Sequence, residues 1–282
     1  MTFAERLRLH TMADPGCPRG ALTPWIRILL YGALVLFPIG IVLNVAGLPG
    51  RGIGWTVLPV LLLYTVIMVL SEMRVRRPHR VLGELSAIGM VVFLVEVVGV
   101  RSGFPFGRYA YTEVLEPSLW GVPLVIAGTW YTVIVSAWRI AAAVCDRSGT
   151  YSPARIAITA SLITLAFDIA LEPMASRIAL YWIWESDSVP FGNYLSWLVL
   201  AWGISFWFAP RSRPSPGEQA PGVTATAAIV FLLQEVLFLV TNVAHGFVIP
   251  AAISVLVLLM ALSPALWSRS GRKAPRRYAH EM

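Results

Sequence analysis

Charge is scarce in this chain: Asp, Glu, Lys and Arg together supply 13% of its 282 residues, against 57% hydrophobic ones. So little charge cannot clothe a soluble domain, and with a mean hydropathy of +0.71 the chain reads as a polytopic membrane protein. Cysteine is nearly absent too. Cys17 lies in the N-terminal segment and Cys145 at a helix end expected to face the cytoplasm, where thiols stay reduced, so no disulfide is expected. The four histidines, His10, His79, His245 and His280, are scattered without ligand spacing, which argues against a His-based metal site, and no metal is expected. No glycine-rich phosphate loop and no nucleophile elbow occur, which sets aside the nucleotide-binding and serine-hydrolase classes. Before Pro24 there is no apolar stretch, only a segment with Arg6 and Arg8, so a cleaved signal peptide is not expected.

What the chain has in abundance is long apolar runs. About twenty residues cross a 30 Å hydrocarbon core. Runs of that order fall at 25–47, 54–71, 82–100, 119–141, 155–173, 193–209, 222–243 and 247–267. The reading is an all-α membrane bundle of about eight helices, with seven as the alternative count. Eighteen of the 22 Lys and Arg residues then fall on one side, and only Arg51, Arg101, Arg108 and Arg177 on the other. The positive-inside rule places both termini in the cytoplasm of a multi-pass protein of the cell membrane. It also accounts for a pI near 9.8 without nucleic acid, because the basic residues sit on helix flanks that face anionic lipid. One membrane domain over 1–282 is expected: a cytoplasmic tail at 1–24, the bundle at 25–267, and a basic cytoplasmic tail at 268–282. The Pro- and Ser-containing linker at 211–222 interrupts it.

Against this background four carboxylates stand out, Glu96, Asp168, Glu172 and Glu235, each inside an apolar stretch. Ionisable groups at membrane depth are costly and mark chemistry or ion passage. At 1.5 Å per residue, Glu96, Asp168 and Glu235 lie about 20 Å from the cytoplasmic ends of their helices, in the outer half of the bilayer. Asp168 and Glu172 share a face at i, i+4 spacing. Pro173 follows at once and has no N–H to donate, so the helix ends or kinks there. Asn44, Arg101, Arg108, Asn193, Gln234 and Asn242 fall near the same level, which suggests a polar pocket opening toward the outer leaflet.

Each residue also has a plainer reading: the carboxyl pair as interhelical glue, Glu96 as the partner of Arg101 or Arg108, Glu235 as an isolated structural group. Most of the eleven tryptophans suit an interfacial belt, with Trp182 and Trp184 of YWIWES set apart by their place just beyond the carboxyl pair. A weak internal echo accompanies them. PFG recurs at Pro105–Gly107 and Pro190–Gly192, and a Val-Pro pair stands seven residues before Trp130 and again before Trp197.

Two adjacent carboxyls in low dielectric cannot both ionise cheaply, so one of them retains its proton. A neutral carboxylic acid in an apolar pocket is a strong general acid. The group it could protonate there is one that partitions into lipid. An isoprenoid double bond fits, since its protonation gives a tertiary carbocation that aromatic faces and a carboxylate stabilise.

The strings EVVGVRSGFPFGRYAYTEVLEPSLWGVPLVIAGTW (Glu96–Trp130), DIALEPMASRIALYWIW (Asp168–Trp184) and VPFGNYLSW (Val189–Trp197) resemble the membrane carotenoid-biosynthesis family that includes carotenoid 1,2-hydratases and bisanhydrobacterioruberin hydratase. The resemblance extends over roughly residues 30–265. Ser102 stands where that family often has Thr, and Arg177 after the Glu-Pro pair is unexpected. The resemblance implies cofactor-free addition of water to the terminal C1–C2 double bond of an acyclic ψ-end group, in γ-carotene, lycopene or a C50 carotenoid. On that basis Asp168 protonates C2, Glu172 tunes it or orients water, and Glu96 stabilises the cation or accepts the water's proton, the three roles being interchangeable. Arg108, Tyr109, Tyr111, Trp130, Trp182, Trp184, Asn193 and Trp197 would line the pocket, with Glu235 and Asn242 as further candidates. The partners implied are a lipophilic carotenoid, the bilayer and other membrane enzymes of the pathway. A membrane lycopene cyclase, a proton-coupled transporter and a pigment-binding scaffold remain alternatives.

Overall fold

The structure, a computed structural model, describes residues 23–48, 51–145, 152–208 and 221–261, with backbone alone for 51–55 and 221. Among the described residues eight helices form the bundle: α1 Thr23–Val45, α2 Arg51–Met73, α3 Pro78–Ser102, α4 Val125–Cys145, α5 Pro153–Pro173, α6 Phe191–Phe208, α7 Pro221–Ala244 and α8 Val248–Ala261. The expected all-α membrane architecture is therefore present. By length and composition six of the eight can cross a membrane, α6 and α8 falling outside that group. The described part of α8 has 14 residues, about 21 Å of helix. The expected tails, with Cys17, His10 and His280, lie outside the described residues apart from Thr23 and Pro24, which open α1, as does all of the 211–222 linker except its last two residues, which open α7.

Boundaries differ where short strands replace helix. The fourth apolar run was expected to turn helical from 119, yet Ser118–Leu119 (β2) pairs with Val122–Pro123 (β3) in a tight hairpin, and α4 starts at Val125. Tyr109–Tyr111 (β1) pairs antiparallel with Trp182–Trp184 (β4). α5 ends at Pro173, as the missing N–H requires, but the chain goes on through a single π turn, Met174–Ile178. In that wider turn Ala179 N donates to Met174 O at 2.8 Å.

α4 is the central helix and packs against α2, α3, α5 and α7. Of its apolar stretch 67% is buried, against 11% for α1 on the periphery. Small and polar residues at each turn let it approach α2 closely. A Cβ on Gly128 would stand 2.9 Å from Thr65 Oγ1. One turn on, Thr132 Oγ1 donates to Thr65 Oγ1 at 3.2 Å.

The same seam ends in a buried ion network. Arg139 donates through Nε and Nη2 to both oxygens of Glu72, at 2.7 and 2.5 Å. Arg76 forks onto Glu84 and lies 3.8 Å from Glu72. In the sequence Arg139 is one of the charges on the basic side and Glu72 stands one residue past the apolar run 54–71. Their pairing crosses two helices, so no local pattern announces it. Arg139→Met, by leaving Glu72 only the longer contact to Arg76, is expected to cost about 3 kcal/mol or more, read as a lower melting temperature in detergent. The double replacement Glu72→Met/Arg139→Met is expected to restore much of that loss.

Candidate active site

At the opposite end of the bundle from Glu72, α3 and α5 each deliver a carboxylate to the segments that follow them. Glu96 lies near the end of α3, which closes at Gly103 in a left-handed conformation, φ 78°. The chain then folds back through the first PFG into β1. Alternation along a strand sends Tyr109 and Tyr111 to one face and Ala110 to the other, and both phenols donate to Glu96 Oε2, Tyr111 at 3.0 Å. Gly99 makes this approach feasible, because a Cβ there would lie 2.7 Å from Phe106 and 3.0 Å from Tyr109 Oη.

The second carboxylate is held in a matching way. After the π turn, β4 directs Trp182 and Trp184 inward and leaves Ile183 exposed. Their indole N–H groups donate to Glu172 Oε2 at 3.4 and 3.0 Å. Ser176 Oγ donates to the carbonyl of Glu172 at 2.7 Å. The register Tyr109↔Trp184, Ala110↔Ile183, Tyr111↔Trp182 sets two phenols beside two indoles, with Tyr109 and Trp184 ring centroids 5.1 Å apart. Above this pair the two PFG segments interlock. A Cβ on Gly107, whose φ is 114°, would meet Pro190 Cγ at 2.5 Å, and one on Gly192 would meet Pro105 O at 2.8 Å. Two glycines at these positions let the loops close over the site.

Asp168 and Glu172 share one face of α5 as the spacing requires. The Asn193 amide from the first turn of α6 bridges them: Nδ2 donates to Asp168 Oδ2 at 3.0 Å and to Glu172 Oε1 at 3.1 Å. Between the two carboxylate arms lies a cavity of about 60 Å³, lined from α3 by Glu96, from α4 by Ile126, Thr129 and Trp130, from α5 by Leu171 and Glu172, and from α6 by Asn193 and Trp197. Phe106 and the four inward aromatics of β1 and β4 complete the wall. Trp130 and Trp197 stack with centroids 3.7 Å apart and planes 11° from parallel. At about 10–15 Å³ of such volume per water, the cavity has room for about four waters.

Most of the expected pocket residues thus meet in one place, and the exceptions are specific. Asp168 is fully buried but stands behind Asn193 and does not line the cavity, and its Oδ1 has no partner among the described residues. Arg108 is directed outward, 74% exposed and 3.7 Å from Glu185. Arg101 lies over the Trp120 ring at 6.0 Å, so neither arginine pairs with Glu96. Arg177 donates to Asp187 O at 2.6 Å on the surface, and its charge does not enter the pocket. Glu235 is buried on α7 facing Ser254 of α8, away from the cavity lining. Asn242 ties α7 to α5 through Ala170 O at 2.8 Å, and Asn44 caps back onto Gly40 O. Residues the sequence reading missed are Phe106, Ile126, Thr129 and Leu171. The i, i+3, i+4 spacing of Ile126, Thr129 and Trp130 is the signal that could have found two of them.

Burial, and next the negative charge of Glu96, push the phenols of Tyr109 and Tyr111 well above the ordinary tyrosine range. Both therefore stay neutral donors wherever the protein operates. The sign follows: raised phenol values leave stability intact below about pH 10, the unfolded value, and remove it as pH climbs above that. A near-ultraviolet titration of the folded protein is expected to show fewer tyrosinate equivalents near pH 10 than the unfolded chain, these two phenols among the missing ones. Tyr109→Phe/Tyr111→Phe is expected to shrink that difference by two equivalents.

The sequence pattern of the carotenoid biosynthesis protein family matches residues 56–261, which includes every residue of the cavity wall. Among curated proteins, a bisanhydrobacterioruberin hydratase of Haloarcula japonica is 29% identical over 119 residues, an alignment spanning 41% of this chain and 40% of that protein. No solved structure matches. The match over residues 56–261 takes in seven of the eight helices in whole or part together with both aromatic strands, and the chain belongs to the carotenoid biosynthesis protein family.

Proposed function

We propose that the protein is a carotenoid 1,2-hydratase, which adds water across the terminal C1–C2 double bond of an acyclic ψ-end group. The observation that carries the proposal is two carboxylates, each held by a pair of aromatic donors, in the walls of one cavity lined otherwise by aromatic and aliphatic side chains. The hydratase name borne by the Haloarcula protein supports the reaction type. The long apolar helices around the cavity suit a substrate that dissolves in lipid.

The chemistry divides between the walls. Glu172, backed by Asp168, protonates C2 as the carboxylic acid, because Glu172 rather than Asp168 faces the cavity. The cation that results at C1 is tertiary. The indoles of Trp130, Trp182, Trp184 and Trp197 offer it π faces, and the Glu96 carboxylate offers it charge. Water held beside Glu96 then attacks C1 and yields its proton to that carboxylate, leaving a tertiary alcohol. Return of this proton to the Asp168–Glu172 pair through cavity water restores the starting state, with one water consumed and no other reactant. The two phenols on Glu96 orient it and spread its charge, and charge-assisted bonds of this kind contribute about 1.5–3 kcal/mol each. Substrates of this class are γ-carotene, lycopene and longer C50 carotenoids.

The test is expression in a host that accumulates lycopene or γ-carotene, followed by chromatography and mass spectrometry of the pigments. The expected product is more polar and heavier by one water. Glu172→Gln and Glu96→Gln, at normal protein level, are expected to lower it by about 10²–10⁴-fold, the usual contribution of a positioned acid or base. An isomeric product would favour the cyclase. Pigment bound but unchanged would favour the scaffold.

A further inference from the structure

The two arms of the site are related by a local two-fold, and the relation is reciprocal. Gly107 meets Pro190 while Gly192 meets Pro105, the mutual pattern of a self-complementary contact. β1 and β4 run antiparallel about the Ala110↔Ile183 pair, the two tryptophans Trp130 and Trp197 stack face to face, and each carboxylate takes two donors from its own strand. The correspondence is one of positions in space: β1 follows its PFG in the chain and β4 precedes the other one.

Under this relation Glu96 corresponds to Glu172 and Trp130 to Trp197. One helical turn before each, the halves part company. Before Glu96 stands Val92, and before Glu172 stands Asp168. Before Trp130 stands Ile126, and before Trp197 stands Asn193. Both departures lie on the same side, and they touch: Asn193 Nδ2 reaches Asp168 and Glu172 together. A polar pair has taken the place of an apolar pair in one half of a symmetric frame.

We infer that Asp168 and Asn193 together set the acid wall apart from the base wall, Asn193 acting as a positioning residue that holds Asp168 as the proton reserve for Glu172. The inference rests on the hydratase reading for its chemistry. When Glu172 gives its proton to C2, Asp168 passes its own across the short gap that Asn193 maintains, and the proton taken up by Glu96 from water later refills Asp168. Glu96, flanked by Val92 and Ile126, has no such reserve and serves as acceptor.

Three variants test this: Asp168→Val, Asn193→Ile and the double replacement, which copies the Val92/Ile126 half. The frame already accommodates that apolar pair once, so the double variant is expected to melt at a temperature reduced by less than the sum of the two single reductions. Asn193→Ile is expected to bind the carotenoid with unchanged KM, to lose at least tenfold in kcat and to shift one limb of the pH–rate profile, a change that a merely structural residue would not produce. A double variant that fails to fold, or whose melting losses add, overturns the two-fold frame. A double variant hydrating at the parental rate overturns the proton-reserve role. If the parent protein hydrates no ψ-end carotenoid, the functional reading fails, while the melting series still decides whether the two halves correspond.

Discussion

A carboxylate inside an apolar bundle has to find donors within the protein, because lipid supplies none. This constraint organises the loop-rich end of the molecule. Glu96 and Glu172 lie near the ends of α3 and α5, so the segments that continue those helices are the ones able to turn back over them. A two-stranded ladder is the economical way to do it. Each strand points alternate side chains inward, and aromatic residues at both inward positions provide an O–H or N–H together with a hydrophobic wall. Satisfying two buried carboxyl groups and shaping an apolar cavity become one structural act. The close glycine contacts between the PFG segments and the π turn after Pro173 follow as the means of bringing those strands into register.

The other end of the bundle meets the same constraint by different means. There Glu72 is neutralised by Arg139 and, at longer range, by Arg76. Full charge pairing makes a clamp among α2, α3 and α4. Neutral donors around Glu96 and Glu172 orient the carboxyl groups without a cation to hold them ionised, which leaves them free to pass a proton. The contrast is the physical ground for reading one group of buried acids as structural and the other as chemical.

Much of this was legible in the sequence. Apolar run length gave eight helices with ends off by a few residues, and the isolated acids Glu96, Asp168 and Glu172 marked the region of the site. The PFG echo was visible but weak, since its meaning lies in a contact between two loops 85 residues apart. What the sequence hid was orientation. Nothing local tells that Asp168 stands behind Asn193, that Arg108 turns outward to Glu185, or that Glu235 belongs to a separate helix pair. The short strands were hidden as well: YAY and WIW are too brief to show a period of two, and each exists because the other is there to pair with it. Helix α4 began later than its hydropathy suggested because Ser118–Pro123 forms a hairpin, in which Trp120 and Gly121 adopt left-handed backbone at φ 55° and 85°.

The central claim is that the cavity joins one water to one chain end by acid catalysis. The most direct measurement is conversion of lycopene by the purified protein in lipid nanodiscs, run in oxygen-18 water and separately in deuterium oxide, with mass spectrometry of the product. The account predicts one oxygen-18 atom in the new hydroxyl group and one carbon-bound deuterium at C2 for each end that reacts. A product with deuterium but no new oxygen, or one labelled in neither medium, would contradict it.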